Sequence, residues 1–139
     1  MKQKQLKLRH KPSDRLHFLA ISLCVILKMS DAESIKFAAA EINLVLHATE
    51  DEDKVLKALE ETLMVPATRF SRSSSEGHYK NKILLQKAIL SSKEASLLAK
   101  RIISLLNSAD REHLSSLIDA YADEKGNLYL RLDKQRICQ

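Results

Sequence analysis

The residues best suited to do chemistry lie between Arg69 and Lys87. There Arg69, Arg72, Lys80, Lys82 and Lys87 face a single acid, Glu76, with Phe70, His78 and Tyr79 interleaved. Cations at this density bind phosphate oxygens without reading sequence. Rings among them can stack on unpaired bases, so single-stranded or looped RNA is the matching ligand. A merely solvated basic loop has the same composition. A second set stands near the C-terminus. Tyr129 and Arg131 alternate within a strand-like run and so share one face, about 7 Å apart, and Lys134 follows them. The plainer role for Arg131 is an exposed ion pair with Asp133, worth about 0–1 kcal/mol. The expectation is that the mid-chain coil and the closing strand converge into one cationic, ring-bearing surface.

Other chemistries fit less well. His78, Asp133 and the loop serines could be drawn as an acid–base set. The chain nevertheless has no nucleophile elbow, phosphate-cradling glycine loop or metal motif, and no carboxylate pair at a hydrolytic spacing is legible. The reading is a non-enzyme with no cofactor and no small-molecule substrate. His47 is read as satisfied by nearby backbone or acids, and the acids Glu50 to Asp53 as a helix start, not a cation site. Cys24 and Cys138 lie near opposite ends without a CxxC spacing, as free thiols in a reducing cytosol do.

Charge is unevenly spread. Residues 1–28 carry seven Lys/Arg against one acid, which is +6, and residues 29–139 carry 16 against 17, which is −1; together they give the net +5. The body is near neutral, so only local patches argue for nucleic acid. The apolar run 16–27 has 12 residues, short of the roughly 18 needed to span a bilayer, and no small-x-small cleavage site follows it. Residues 1–28 are expected to be an N-terminal extension, extended or helical, on a domain of residues 29–139. Met29 followed by Ser-Asp-Ala-Glu-Ser reads as the native start. A cytoplasmic protein without membrane attachment is expected.

The elements that position these residues follow from periodicity. Ala38, Ala40, Ile42, Leu44 and Leu46 alternate as a half-buried strand. Val55, Leu59 and Leu63 recur every fourth residue as a helix over about 50–64, with Thr49 and Glu52 as its capping box. Pro66 ends that pattern. Residues 68–82 are polar and aperiodic, the longest irregular stretch. Ile83 to Leu90 is a second strand, and Ser91 with Glu94 caps a helix to about 107. Ser108 begins a shorter helix, Gly126 sits in a turn, and Leu128, Leu130 and Leu132 face inward on a last strand. The fold class is α+β: two layers, a small antiparallel or mixed sheet with helices packed on one face.

Three stretches, Leu46 to Val55 (LHATEDEDKV), Gly77 to Ile83 (GHYKNKI) and Tyr129 to Gln135 (YLRLDKQ), resemble in order and spacing an archaeal family of small RNA-binding proteins described as predicted exosome subunits. The resemblance covers roughly residues 35–135. It implies a fold like that of the ribosomal protein that binds 5S rRNA, and RNA and exosome subunits as partners. It also brings the loop asparagine, Asn81, into the candidate set. Family members flank that asparagine with Gly and Pro, where this chain has Lys80 and Lys82. They run on past Asp-Lys-Gln into a further strand, so this chain reads as short at its C-terminus, with a sheet edge left unpaired. The candidate RNA-binding set is Arg69, Arg72, His78, Tyr79, Lys80, Asn81, Lys82, Tyr129, Arg131 and Lys134, in a non-catalytic accessory of RNA processing or degradation. The rival is a protein–protein adaptor that docks through a sheet edge without RNA contact.

Overall fold

A computed structural model describes residues 18–27, 36–116, 120 and 122–138. In chain order the elements are β1 (Phe18–Leu27), β2 (Lys36–His47), α1 (Glu52–Leu63), a single 3-10 turn (Ala67–Arg69), β3 (Phe70–Glu76), β4 (Lys82–Leu90), α2 (Ser92–Leu105), α3 (Ser108–Ser116), β5 (Asn127–Asp133) and α4 (Lys134–Cys138). The five strands form one sheet in the order β3-β4-β2-β1-β5, every neighbouring pair antiparallel. The helices cover one face, which makes the two-layer α+β fold that the periodicity predicts.

The core follows the strand pleat. Ile42, Leu44 and Leu46 on β2 lie opposite Ala88, Gln86 and Leu84 on β4 and, across β1, align with Leu130 and Leu132 on β5. Against this face α1 buries Val55, Ala58, Leu59 and Leu63, and α2 buries Ala95, Leu98, Ala99, Ile102 and Leu105, each set at helical spacing. The alternate residues of the strands form an open sheet face.

Two local expectations are corrected. The stretch 68–82 is a β-hairpin, not an irregular loop. Residues 71–76 are exposed on both faces, because β3 is an edge strand that the helices do not bury. With neither face buried, no alternation of apolar residues is required, and the ladder to β4 is what makes it a strand. Next, the cap of α1 is Asp51, whose carboxylate accepts from Lys54 N at 3.3 Å. Thr49 lies in the preceding turn with its hydroxyl 3.0 Å from His47 Nδ1. Glu50 is likewise outside the helix, and its side chain turns to another partner. Residues 18–27 take the extended of the two expected forms and pack on the body as β1, paired to β2 on one side and β5 on the other. The rest of that N-terminal segment lies outside the described residues. Residues 134–138 form a short helix. β5 does end the sheet, with Ala122 bridging to Leu128. The second capping box is present, with Glu94 accepting from Ser91 N at 2.9 Å, and Gly126 takes a φ of 83°.

Candidate nucleic-acid interface

The hairpin tip is built from the backbone outward. Lys80 N donates to Gly77 O at 3.0 Å and Gly77 N to Asn81 O at 2.8 Å, enclosing His78, Tyr79 and Lys80 as a three-residue loop. Such loops close with a left-handed residue, and Lys80 supplies it at φ 60°. Glycine would adopt that conformation without a Cβ clash. Gly77 sits close to the opposite strand: a Cβ there would lie 3.0 Å from Ile83 Cδ1, a side-chain end that can shift to admit it. The closed turn lifts Tyr79 to 82% exposure. His78 meets it edge-on, with ring centroids 5.0 Å apart and planes at 82°. A T-shaped pair covers at most one ring face, which leaves π surface for a base.

Along the outer edge, Lys80 and Lys82 share a shallow depression of about 270 Å³ with Ser74, Ser75 and Glu76. A second depression, of about 360 Å³, continues along β3 between Arg72, Ser73, Ser74 and Lys82. Serine hydroxyls and the backbone of an edge strand donate to phosphate oxygens as cations do. Ser73, Ser74 and Ser75 are therefore site candidates that sequence reasoning passed over. The Ser-Ser-Ser run within a basic stretch was the available signal.

The arginines are less free than the lysines. Arg72 lies 3.4 Å from Glu52. Arg69, at the far end of β3 from the tip, is 2.6 Å from Glu94 and donates to Ile89 O at 3.3 Å. The Ser91 backbone N–H holds the Glu94 carboxyl below its ordinary value, with smaller help from Arg69.

Tyr129 and Arg131 do not join this cluster. They sit on β5, four strand spacings from β3, or about 19 Å at roughly 4.8 Å each. They do share one face: register aligns Lys87, Asn43, Ala20 and Arg131 in a row across the open sheet. Acids interrupt that face. Glu41 is 3.2 Å from Lys87 and accepts from Asn43 at 2.8 Å. Tyr129 donates its hydroxyl to Asp123 at 3.0 Å, which raises the phenol above its usual range. The single convergent surface is not formed, because the topology places β3 and β5 at opposite edges.

Lys134 leaves the candidate set altogether. It is 2% exposed, and its ammonium donates to Val45 O at 3.0 Å and to Glu50 at 2.7–2.8 Å. Glu50 also accepts from His47 N at 2.8 Å. Partial burial works to raise the Glu50 carboxyl, but the Lys134 ammonium and the His47 N–H outweigh it and hold it below its ordinary value. Asp133 accepts from the backbone of Gln135 at 3.0 Å, which starts α4. Two of the three stretches that carried the resemblance thus meet as a structural lock between the β2–α1 and β5–α4 junctions.

Among the described residues, no group of three His, Cys, Asp or Glu is placed to hold a metal ion, and no helix is long and apolar enough to cross a membrane. Residues 39–139 match a family model described as RNA binding. The chain is 35% identical over 100 residues to the RNA-binding protein PAB1135 of Pyrococcus abyssi, a match over 68% of this chain and 65% of that protein. It is 32% identical over 101 residues to MJ0213 of Methanocaldococcus jannaschii, over 69% and 68%. The match thus spans about two thirds of each relative's length. In structure it is similar to Mth689, a DUF54 protein from Methanothermobacter thermautotrophicus, with a TM-score of 0.51 and 27% identity, covering 88% of this chain and 70% of that one.

Proposed function

The chain belongs to the RNA-binding family matched over residues 39–139, and from that premise we propose that it binds single-stranded or looped RNA through the β3–β4 hairpin. The observation that carries this reading is the tip itself. Tyr79 stands 82% exposed beside His78, directly before Lys80 and Lys82 and the serine-lined edge of β3. The lysines and Arg72 hold phosphates, the serine hydroxyls donate to phosphate and ribose oxygens, and Tyr79 stacks on a base. Asn81 belongs to this group by position, while Tyr129 and Arg131 form a separate patch on β5 that a longer RNA would have to reach. The protein acts in the cytoplasm as a non-catalytic accessory of RNA processing. The further assignment to the exosome is supported by the sequence resemblance alone.

The test is a salt-titrated binding series. Replacing Lys80 and Lys82 together by alanine weakens binding uniformly across RNA sequences. It also flattens the slope of log affinity against log salt by about 1.4, at about 0.7 per phosphate for single strands. An unchanged slope removes the hairpin from the interface.

A further inference from the structure

The helix layer carries a groove that RNA binding leaves unused. It lies between the C-terminal end of α1 and the outer face of α2, encloses about 550 Å³, and has Leu63, Val65 and Leu98 as its apolar floor. Met64 and Leu97 stand at its lip, 72% and 60% exposed. Glu94, Leu97, Leu98 and Arg101 are three and four residues apart, so helical geometry gathers them into one wall. From Glu94 to Ser104 that wall is about 15 Å long, nearly three turns.

The rim is cationic. Arg69, Lys100 and Arg101 border the groove against one acid, Glu94, and Arg69 already occupies that acid at 2.6 Å. Arg101 donates its Nε to Thr62 O at 2.9 Å. The terminal nitrogens of its guanidinium have no partner among the described residues. Lys100 is exposed.

These features separate the occupants. A second copy would bring two cationic rims together, since a two-fold interface presents the same patch from both sides. RNA would find no ring to stack on, because the lining is aliphatic. An amphipathic helix with acids beside its apolar stripe satisfies both the floor and the rim. We infer that the α1–α2 groove docks an acidic amphipathic helix of a protein partner, its apolar anchors on Leu97 and Leu98 and its carboxylates against Lys100 and Arg101. Such helices are held by anchors at i, i+3/i+4 and i+7. The site is independent of the hairpin tip, which lies at the other end of β3 from Arg69.

The test is selection of a phage-displayed library of random peptides, about 16 residues long so that a helix of about 24 Å outspans the groove wall, on the full chain. Enriched peptides should place apolar residues at helical spacing with Asp or Glu beside them. A synthetic copy of a winner should bind Leu97→Asp and Lys100→Glu about tenfold more weakly than wild type. A version with its acids replaced by lysine should prefer Lys100→Glu. The winner should also shift the Met64 methyl resonance of the wild-type protein, a readout that needs no substitution. It should bind the Lys80→Ala, Lys82→Ala variant normally, so this site and the RNA reading fail separately. No enrichment, basic winners, indifference to both substitutions or an unmoved Met64 methyl each overturns the proposal. So does displacement of the winner by anionic phosphatidylglycerol vesicles, which would mark a lipid surface instead.

Discussion

Lys80 carries two opposed demands. Its charge serves the proposed RNA contact, while its φ of 60° costs about 1 kcal/mol relative to glycine, which meets no Cβ clash there. Lys80→Gly is therefore expected to raise unfolding stability by about that amount while weakening RNA binding, read by denaturant melts beside the salt series. Loss of both stability and affinity would show that the turn, and not the charge, is what the lysine supports. Lys134 has the reverse character: a cation whose worth is structural. Glu50→Ala strands its buried ammonium, a change expected to cost about 3 kcal/mol, while Glu50→Ala combined with Lys134→Met should recover much of that loss. The pH dependence has a definite sign. The Glu50 carboxyl is held low in the folded state, so its contribution is full above the ordinary carboxylate value near pH 4.3 and fades as pH falls through the depressed one. Melts of wild type and Glu50→Gln should differ most near neutrality and converge in acid.

At the level of elements, junctions and edges behaved differently from interiors. α1 and α2 have interiors legible in sequence, because burial every third or fourth residue is written into neighbouring positions. The start of α1 is not so simple, since Thr49, Glu50, Asp51 and Asp53 all offer side chains suited to a first turn. The tertiary pull of Lys134 on Glu50 draws that residue out and leaves Asp51 as the cap. Asp51→Ala should accordingly lower stability by about 1 kcal/mol, and Thr49→Ala by a few tenths at most. Equal losses in thermal melts would return Thr49 to the cap. β3 is the harder case. A strand exposed on both faces has no apolar signature, and Ser-Arg-Ser-Ser-Ser reads equally well as coil. Only its ladder with β4, from Phe70 opposite Ala88 to Glu76 opposite Lys82, makes it a strand.

On the scale of the whole molecule, β1 ties the sheet together. Among the described strands it lies between the β3-β4-β2 half and β5, and Ile21 lies in the core at 1% exposure. A chain beginning at Met29 loses this strand and leaves β2 and β5 with open edges. The expected outcome is loss of cooperative unfolding and of dispersed amide resonances, and a well-folded short form would show that another segment replaces β1. The α+β class, the helix interiors and the inward leucines of β5 were determined by sequence, because alternation in period 2 and period 3.6 is a local record of which side meets the core. So was the cationic, ring-bearing character of residues 69–87. The tertiary structure decided what lies beside what. It separated Arg131 from Lys80 by the width of the sheet, buried Lys134 against a carboxylate 84 residues earlier, and set an aliphatic groove beneath a cationic rim. Those outcomes depend on strand order and packing between distant segments, and no spacing along a single chain encodes which edges a sheet leaves open.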